Sequence, residues 1–111
     1  MSSLKMYIAV LDEAPDYMVP TLVAHSVINA HIALSNHPAY QEWLKCSYKK
    51  VTLRVNRKEY NKIKSTLTHW EGYENTICNG EGSCLVVLPV ESDSIPNVLK
   101  FAKLWKPKED N

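Results

Sequence analysis

"LKMYIAVL", residues 4–11, decides the fold. It is short, apolar or β-prone at almost every position, and the turn cluster "DEAPD" follows it. A strand that faces water on one side alternates polar and apolar residues. One without alternation belongs in the middle of a sheet covered on both faces. The chain is therefore expected to be α/β, with helices above and below a sheet.

The next segments fit that expectation. "MVPTLVAHSVINAHIAL" has Leu22, Val23, Val27, Ala30 and Leu34 at helical spacing, so a helix is predicted from Pro20 to about Ser35. Pro38 then opens a second, short helix, "PAYQEWLKC". "KKVTLRV" alternates as a strand, with Lys50, Thr52 and Arg54 on one face and Val51, Leu53 and Val55 on the other. "RKEYNKIKSTLTHW" predicts an amphipathic helix with Asn56 as its N-cap. "GYENTIC" and "SCLVVLPV" predict two strands joined by a tight turn at Asn79-Gly80. "SDSIPNVLKFAKLW" predicts a last helix, and the polar tail "KPKEDN" is expected to fray.

The order is β-α-α-β-α-β-β-α. A strand, a helical crossover and a second strand imply a parallel pair. The expectation is one compact three-layer domain over residues 1–111: a mixed four-stranded sheet with helices on both faces.

Composition narrows the function classes. Net charge is +1, far from the strong basicity usual in proteins that grip nucleic-acid backbones. Charge is uneven, however. Lys45 to Lys64 holds eight Lys or Arg residues and one acid, Glu59, which is either a local anion-attracting surface or a solvated face. No unbroken run of about 18 apolar residues is present, so no membrane span is expected. The N-terminal stretch lacks the pattern of a secretion signal, and a cytoplasmic location is expected. Three cysteines at no zinc-like spacing imply structural thiols, with no metal site and no cofactor.

Several stretches resemble the type 2, archaeal and eukaryotic-like, peptidyl-tRNA hydrolase family. Its first helix carries Lys-x-x-x-Gln-x-x-His-Ala, and "MVPTLVAHSVINA" keeps the histidine as His25. The family's Trp and strand-opening Lys correspond to Trp43 and Lys50 in "WLKCSYKKVTLRV". Its Asp-Ala-Gly-x-Thr segment corresponds to "CNGEG", which keeps Gly80. "PVESDSIPNVLKFAKLW" is similar in register at Pro89, Ile95, Val98, Lys103, Leu104 and Trp105.

The resemblance implies this fold and a site at the start of the first helix. The departures weigh against the activity. The family's Lys falls at Met18, its Gln at Leu22, its Asp at Cys78 and its Thr at Gly82. The Lys, His and Asp are the family groups credited with activating water at the ester between peptide and tRNA. His25 without an aligned acid is a weak general base. If the protein is an enzyme, His25 is its catalytic residue and peptidyl-tRNA its substrate.

The chain also resembles phage-encoded proteins of this fold that trap cyclic nucleotide signals of the bacterial anti-phage defence called CBASS. That resemblance implies a non-catalytic binder of a cyclic nucleotide or other phosphorylated small ligand, working as a homo-oligomer. Expected ligand contacts are Met18, Thr21, His25 and Asn29 along the first helix, Asn79, Gly80 and Ser83 around the turn, and Lys50. Thr21, His25 and Asn29 share one helix face, and a helix start attracts phosphate. The glycines of "NGEGS" let backbone N–H groups approach an anion. Tyr17, Trp43 and Tyr48 offer faces for stacking a base, or pack in the fold. His31 is expected to be packed or surface background. A protein-interaction inhibitor is the third possibility.

Overall fold

Strand β1 (Leu4–Leu11) lies in the middle of the sheet, and its residues from Met6 onward are buried. A computed structural model describes residues 3–108. β1 runs parallel to β2 (Lys49–Val55), with Met6 beside Lys50 and Val10 beside Arg54. On its other side it pairs antiparallel with β4 (Gly82–Val87), which pairs with β3 (His69–Tyr73). The order across the sheet is β3-β4-β1-β2-β6, with β5 (Val90–Glu91) also on β1 and β6 (Lys103–Leu104) on β2. The α/β layering matches the expectation from the sequence. Six strands replace the expected four because β5 and β6 are two-residue pairings.

Helices α1 (Val19–Leu34) and α2 (Pro38–Cys46) cover one face of the sheet. That side of the core holds Met6, Ile8, Val10, Leu22, Ala30, Tyr40, Trp43, Cys84 and Val86. Helices α3 (Arg57–Thr66) and α4 (Asn97–Lys100) cover the other, with Tyr7, Ala9, Leu11, Leu53, Val55, Tyr60, Ile63, Leu85 and Leu99. Successive residues of β1 point to opposite layers, so a strand without alternation serves two cores.

α1 begins one residue before Pro20 and follows a 3-10 turn at Asp16–Met18. Asp16–Leu34 has the length and apolarity of a membrane-crossing helix, although polar residues interrupt it. In the fold, Val19, Leu22, Ser26, Ala30 and Leu34 are buried against the sheet. α3 opens with the expected Asn56 cap. The Asn56 side chain accepts from the Glu59 N–H at 2.8 Å, and the Glu59 carboxylate accepts from the Asn56 N–H at 2.9 Å.

Three boundaries differ from the sequence expectation. α3 ends at Thr66, and "HWEGY" forms β3 in place of "GYENTIC". Pro89 lacks an N–H, and the expected long last strand divides into β4 and β5 around it. The last helix is a single turn, because the Trp105 N–H bonds to the Thr52 carbonyl at 2.9 Å and draws the chain along β2.

The tail is tied down as far as Lys108. Arg54 stacks on Trp105, donates to the Lys106 carbonyl and pairs with Asp16 at 3.2 Å, and the Lys108 N–H donates to Asp16 at 2.6 Å. The Lys108 N–H, then Arg54, hold the Asp16 carboxyl below the usual carboxylate range. Its contribution to stability is therefore complete above that range and fades as pH falls below it. In Asp16→Asn, acid unfolding followed by circular dichroism should lose part of this pH dependence, and no change would contradict the tie.

On the α3 side, the buried Tyr60 hydroxyl donates to Glu71 at 2.7 Å, and Lys64 pairs with the same carboxylate at 3.0 Å. Burial, then that bond, push the Tyr60 phenol well above its usual range. Tyr60→Phe is expected to cost about 2 kcal/mol in urea unfolding, the usual worth of a hydrogen bond to a charged group.

Candidate functional site

α1 approaches β3 closely because residue 72 is glycine. A Cβ there would lie 1.9 Å from Ser26 Oγ and 2.6 Å from Ser26 Cβ. At 100° per residue, His25 and Asn29 then stand on the flank of α1 nearest β3. Glu74, the first residue after β3, meets that flank. His25 Nε2 donates to Glu74 Oε2 at 3.1 Å, and Glu74 Oε1 accepts from Thr76 Oγ1 at 3.2 Å. The Glu74 side chain is 19% exposed and held at both oxygens, whereas the His25 side chain is 50% exposed. With the Glu74 carboxylate as acceptor, Nε2 carries the proton of this bond.

A cavity of about 220 Å³ lies here, lined by His25, Asn29, Trp70, Tyr73, Glu74 and Asn75, with Gly72 behind them. Trp70 is 38% and Tyr73 56% exposed. The site thus combines two amide side chains, a histidine–carboxylate pair and two exposed aromatic faces.

His25 is not without an acid, as the motif comparison implied. That comparison put the acid at Cys78, and the expected strand "GYENTIC" placed Glu74 inside a ladder. Residues 74–81 instead form a loop between β3 and β4, anchored by buried Ile77. Trp70, Tyr73, Glu74 and Asn75 were not anticipated. The signal was present in "HWEGYEN", where β-prone aromatics precede two polar residues.

Of the expected contacts, His25 and Asn29 line the same cavity. Thr21 is exposed on α1 outside it, and Met18 packs partly buried on the core. Asn79 and Gly80 lie in a 3-10 turn, both at positive φ, as is Cys78. They do not line the His25 cavity. The Gly80 and Glu81 N–H groups bond to the Ile77 and Cys78 carbonyls, so these two amides are not turned toward an anion. Met18 and Cys78 do pack on one core cluster, which brings the turn near the start of α1. Ser83 is fully buried on the α3 side of β4, across the sheet from His25, and its Oγ has no hydrogen-bond partner among the described residues.

Lys50 belongs to a different place, the groove between α1 and α2. Its Nζ lies 3.5 Å from the Tyr48 ring centroid and donates to the Tyr48 carbonyl at 2.8 Å. His31, expected to be background, lines the same groove and contacts the Tyr40 hydroxyl through Nδ1 at 3.1 Å.

Three of the eight basic residues between Lys45 and Lys64 are paired with acids. Arg54, Arg57 and Lys64 pair with Asp16, Glu13 and Glu71. Cys84 is buried, and burial pushes its thiol up to about 12, as a structural thiol requires. Cys46 is exposed. Among the described residues, no three His, Cys, Asp or Glu side chains are placed to hold a metal ion.

No family model and no curated protein matches this chain. The chemistry of the site therefore rests on its own residues. Among the described residues, no Ser, Thr or Cys side chain lines the His25 cavity, so hydrolysis there would use water activated by the His25–Glu74 pair. Binding requires less. Amides and a carboxylate pair with the donors and acceptors on a base edge, and aromatic faces stack on its ring.

Proposed function

We propose that this protein binds a cyclic mono- or oligonucleotide in the cavity between α1 and β3 and sequesters it without chemistry. The observation that carries this reading is the grouping of Asn29, Asn75 and the His25–Glu74 pair beside the exposed faces of Trp70 and Tyr73. These are the groups that read a nucleobase. Glu74 accepts from an exocyclic amine and disfavours phosphate, so the base enters and the phosphates stay toward solvent. The resemblance to phage proteins that trap defence signals points the same way, and evasion of bacterial anti-phage defence is the role it suggests.

The cavity, at about 220 Å³, is smaller than the ~300–1,000 Å³ typical of sites that enclose a whole ligand. One copy therefore holds one base, and a second copy covers the rest. A homo-oligomer is part of the proposal. Native mass spectrometry of freshly purified protein should show an oligomer carrying nucleotide mass, and Asn29→Ala should lose that mass.

The His25–Glu74 bond favours a second reading. A carboxylate that orients a histidine is half of a general-base device, and peptidyl-tRNA hydrolysis is the reaction the family resemblance implies. Hydrolysis of peptidyl-tRNA by the pure protein, abolished in His25→Ala, would establish that reading and displace the first. tRNA is a partner only in that case.

A further inference from the structure

The groove between α1 and α2 measures about 320 Å³, larger than the cavity beside His25. Its base is rigid. Trp43 is 2% exposed, donates from Nε1 to the Lys49 carbonyl at 2.8 Å, and meets the Tyr40 ring edge-on at 5.2 Å. Tyr48 stacks on Trp43 at 5.4 Å and 20°, yet remains 60% exposed. It does so from φ +63°, a left-handed conformation that a bulky residue rarely adopts. Strain of this kind concentrates where a side chain must be presented in one particular way.

Lys50 completes the arrangement. Its Nζ is 3.5 Å from the Tyr48 centroid and 5.3 Å from the Trp43 centroid. Were it across the Tyr48 ring from Trp43, the longer distance would approach the sum of the other two separations. It therefore sits on the Trp43 side of the Tyr48 ring. Ile28 and Ile32 wall the groove while 63% and 73% exposed. Among the described residues, no carboxylate lines it and Lys50 makes no ion pair.

We infer that this groove is a ligand site in its own right, for a planar aromatic molecule with one anionic substituent. The ring lies in the groove between the Ile28–Ile32 wall and the Trp43–Tyr48 pair, and the anion meets the ammonium of Lys50. The charge decides the class. An exposed cation with aromatic neighbours and no acid beside it calls for an anion, and the apolar walls call for a flat ring. A lipid surface fits poorly, because α1 carries no Lys or Arg to meet headgroups. The site does not depend on the nucleotide reading, and its residues are not those of the His25 cavity.

Isothermal titration with naphthalene-2-sulfonate tests the assignment, with neutral naphthalene-2-sulfonamide as its control. Saturable one-to-one binding of the sulfonate is expected, weakened at least about tenfold in Lys50→Gln. The sulfonamide should bind the unaltered protein as weakly as the sulfonate binds that variant. Tyr48→Gly removes the ring from a φ that glycine accepts, so it should fold and lose binding, with the fold checked by urea unfolding. His25→Ala should bind unchanged. Equal binding of the two probes, indifference to Lys50→Gln, loss of binding in His25→Ala, or no saturation at millimolar probe would each overturn the assignment. So would weakening of the probe with rising protein concentration alongside dimer formation in sedimentation, since a second copy would then own the groove.

Discussion

Trp43→Ala is expected to lower the free energy of unfolding by about 4 kcal/mol, measured by urea denaturation. Three contributions lie in one direction. The indole is almost wholly buried among Met6, Tyr40 and the other residues of the α1–α2 core, so truncation leaves a cavity. Its Nε1 satisfies the Lys49 carbonyl at the start of β2, which would lose that partner. It also backs the Tyr48 ring, whose left-handed backbone would then keep its strain without the stack. Trp43→Phe retains a ring and should cost less than half as much. A loss below about 1.5 kcal/mol in Trp43→Ala would show that α2 is not held to the sheet as described.

Gly72→Ala is expected to cost about 3 kcal/mol, the upper part of the usual range for overpacking. The added methyl would meet Ser26 on the buried face of α1, and no exposed flexible side chain can yield there. Either α1 lifts from β3 or β3 shifts along β4. Both movements separate His25 from Glu74, so the variant should also weaken any ligand held between them. Ser26→Gly removes the two nearest colliding atoms. The double variant Gly72→Ala/Ser26→Gly should be more stable than the sum of the single losses by more than about 1 kcal/mol. Simple additivity would contradict the close approach.

The parts of the fold legible in the sequence are those governed by local rules. β1 and β2 follow from the presence or absence of alternation. The starts of α2 and α3 follow from Pro38 and the Asn56 cap. The parts that were not legible are settled by distant partners. "HW" reads as the end of a helix until Val87 and Val86 pair with His69 and Trp70. "KL" at 103–104 reads as helix until β2 offers an edge. The tail reads as loose until Asp16 accepts the Lys108 N–H.

The site divides in the same way. His25 and Asn29 share a helix flank by spacing alone. Glu74 is 49 residues from His25 and was hidden by one misplaced strand boundary. Lys50 stood out as a candidate, but its companions come from three elements, and the positive φ of Tyr48 has no sequence signature when the residue is not glycine or asparagine.

Calorimetric titration with a panel of cyclic di- and trinucleotides bears most directly on the proposed role. At least one member should bind saturably at micromolar concentration, emerge chemically unchanged, and lose at least about tenfold in affinity in Asn29→Ala, the loss expected for one well-placed base contact. No heat of binding from any member of the panel, or conversion of the bound nucleotide, would contradict a sequestering site beside His25.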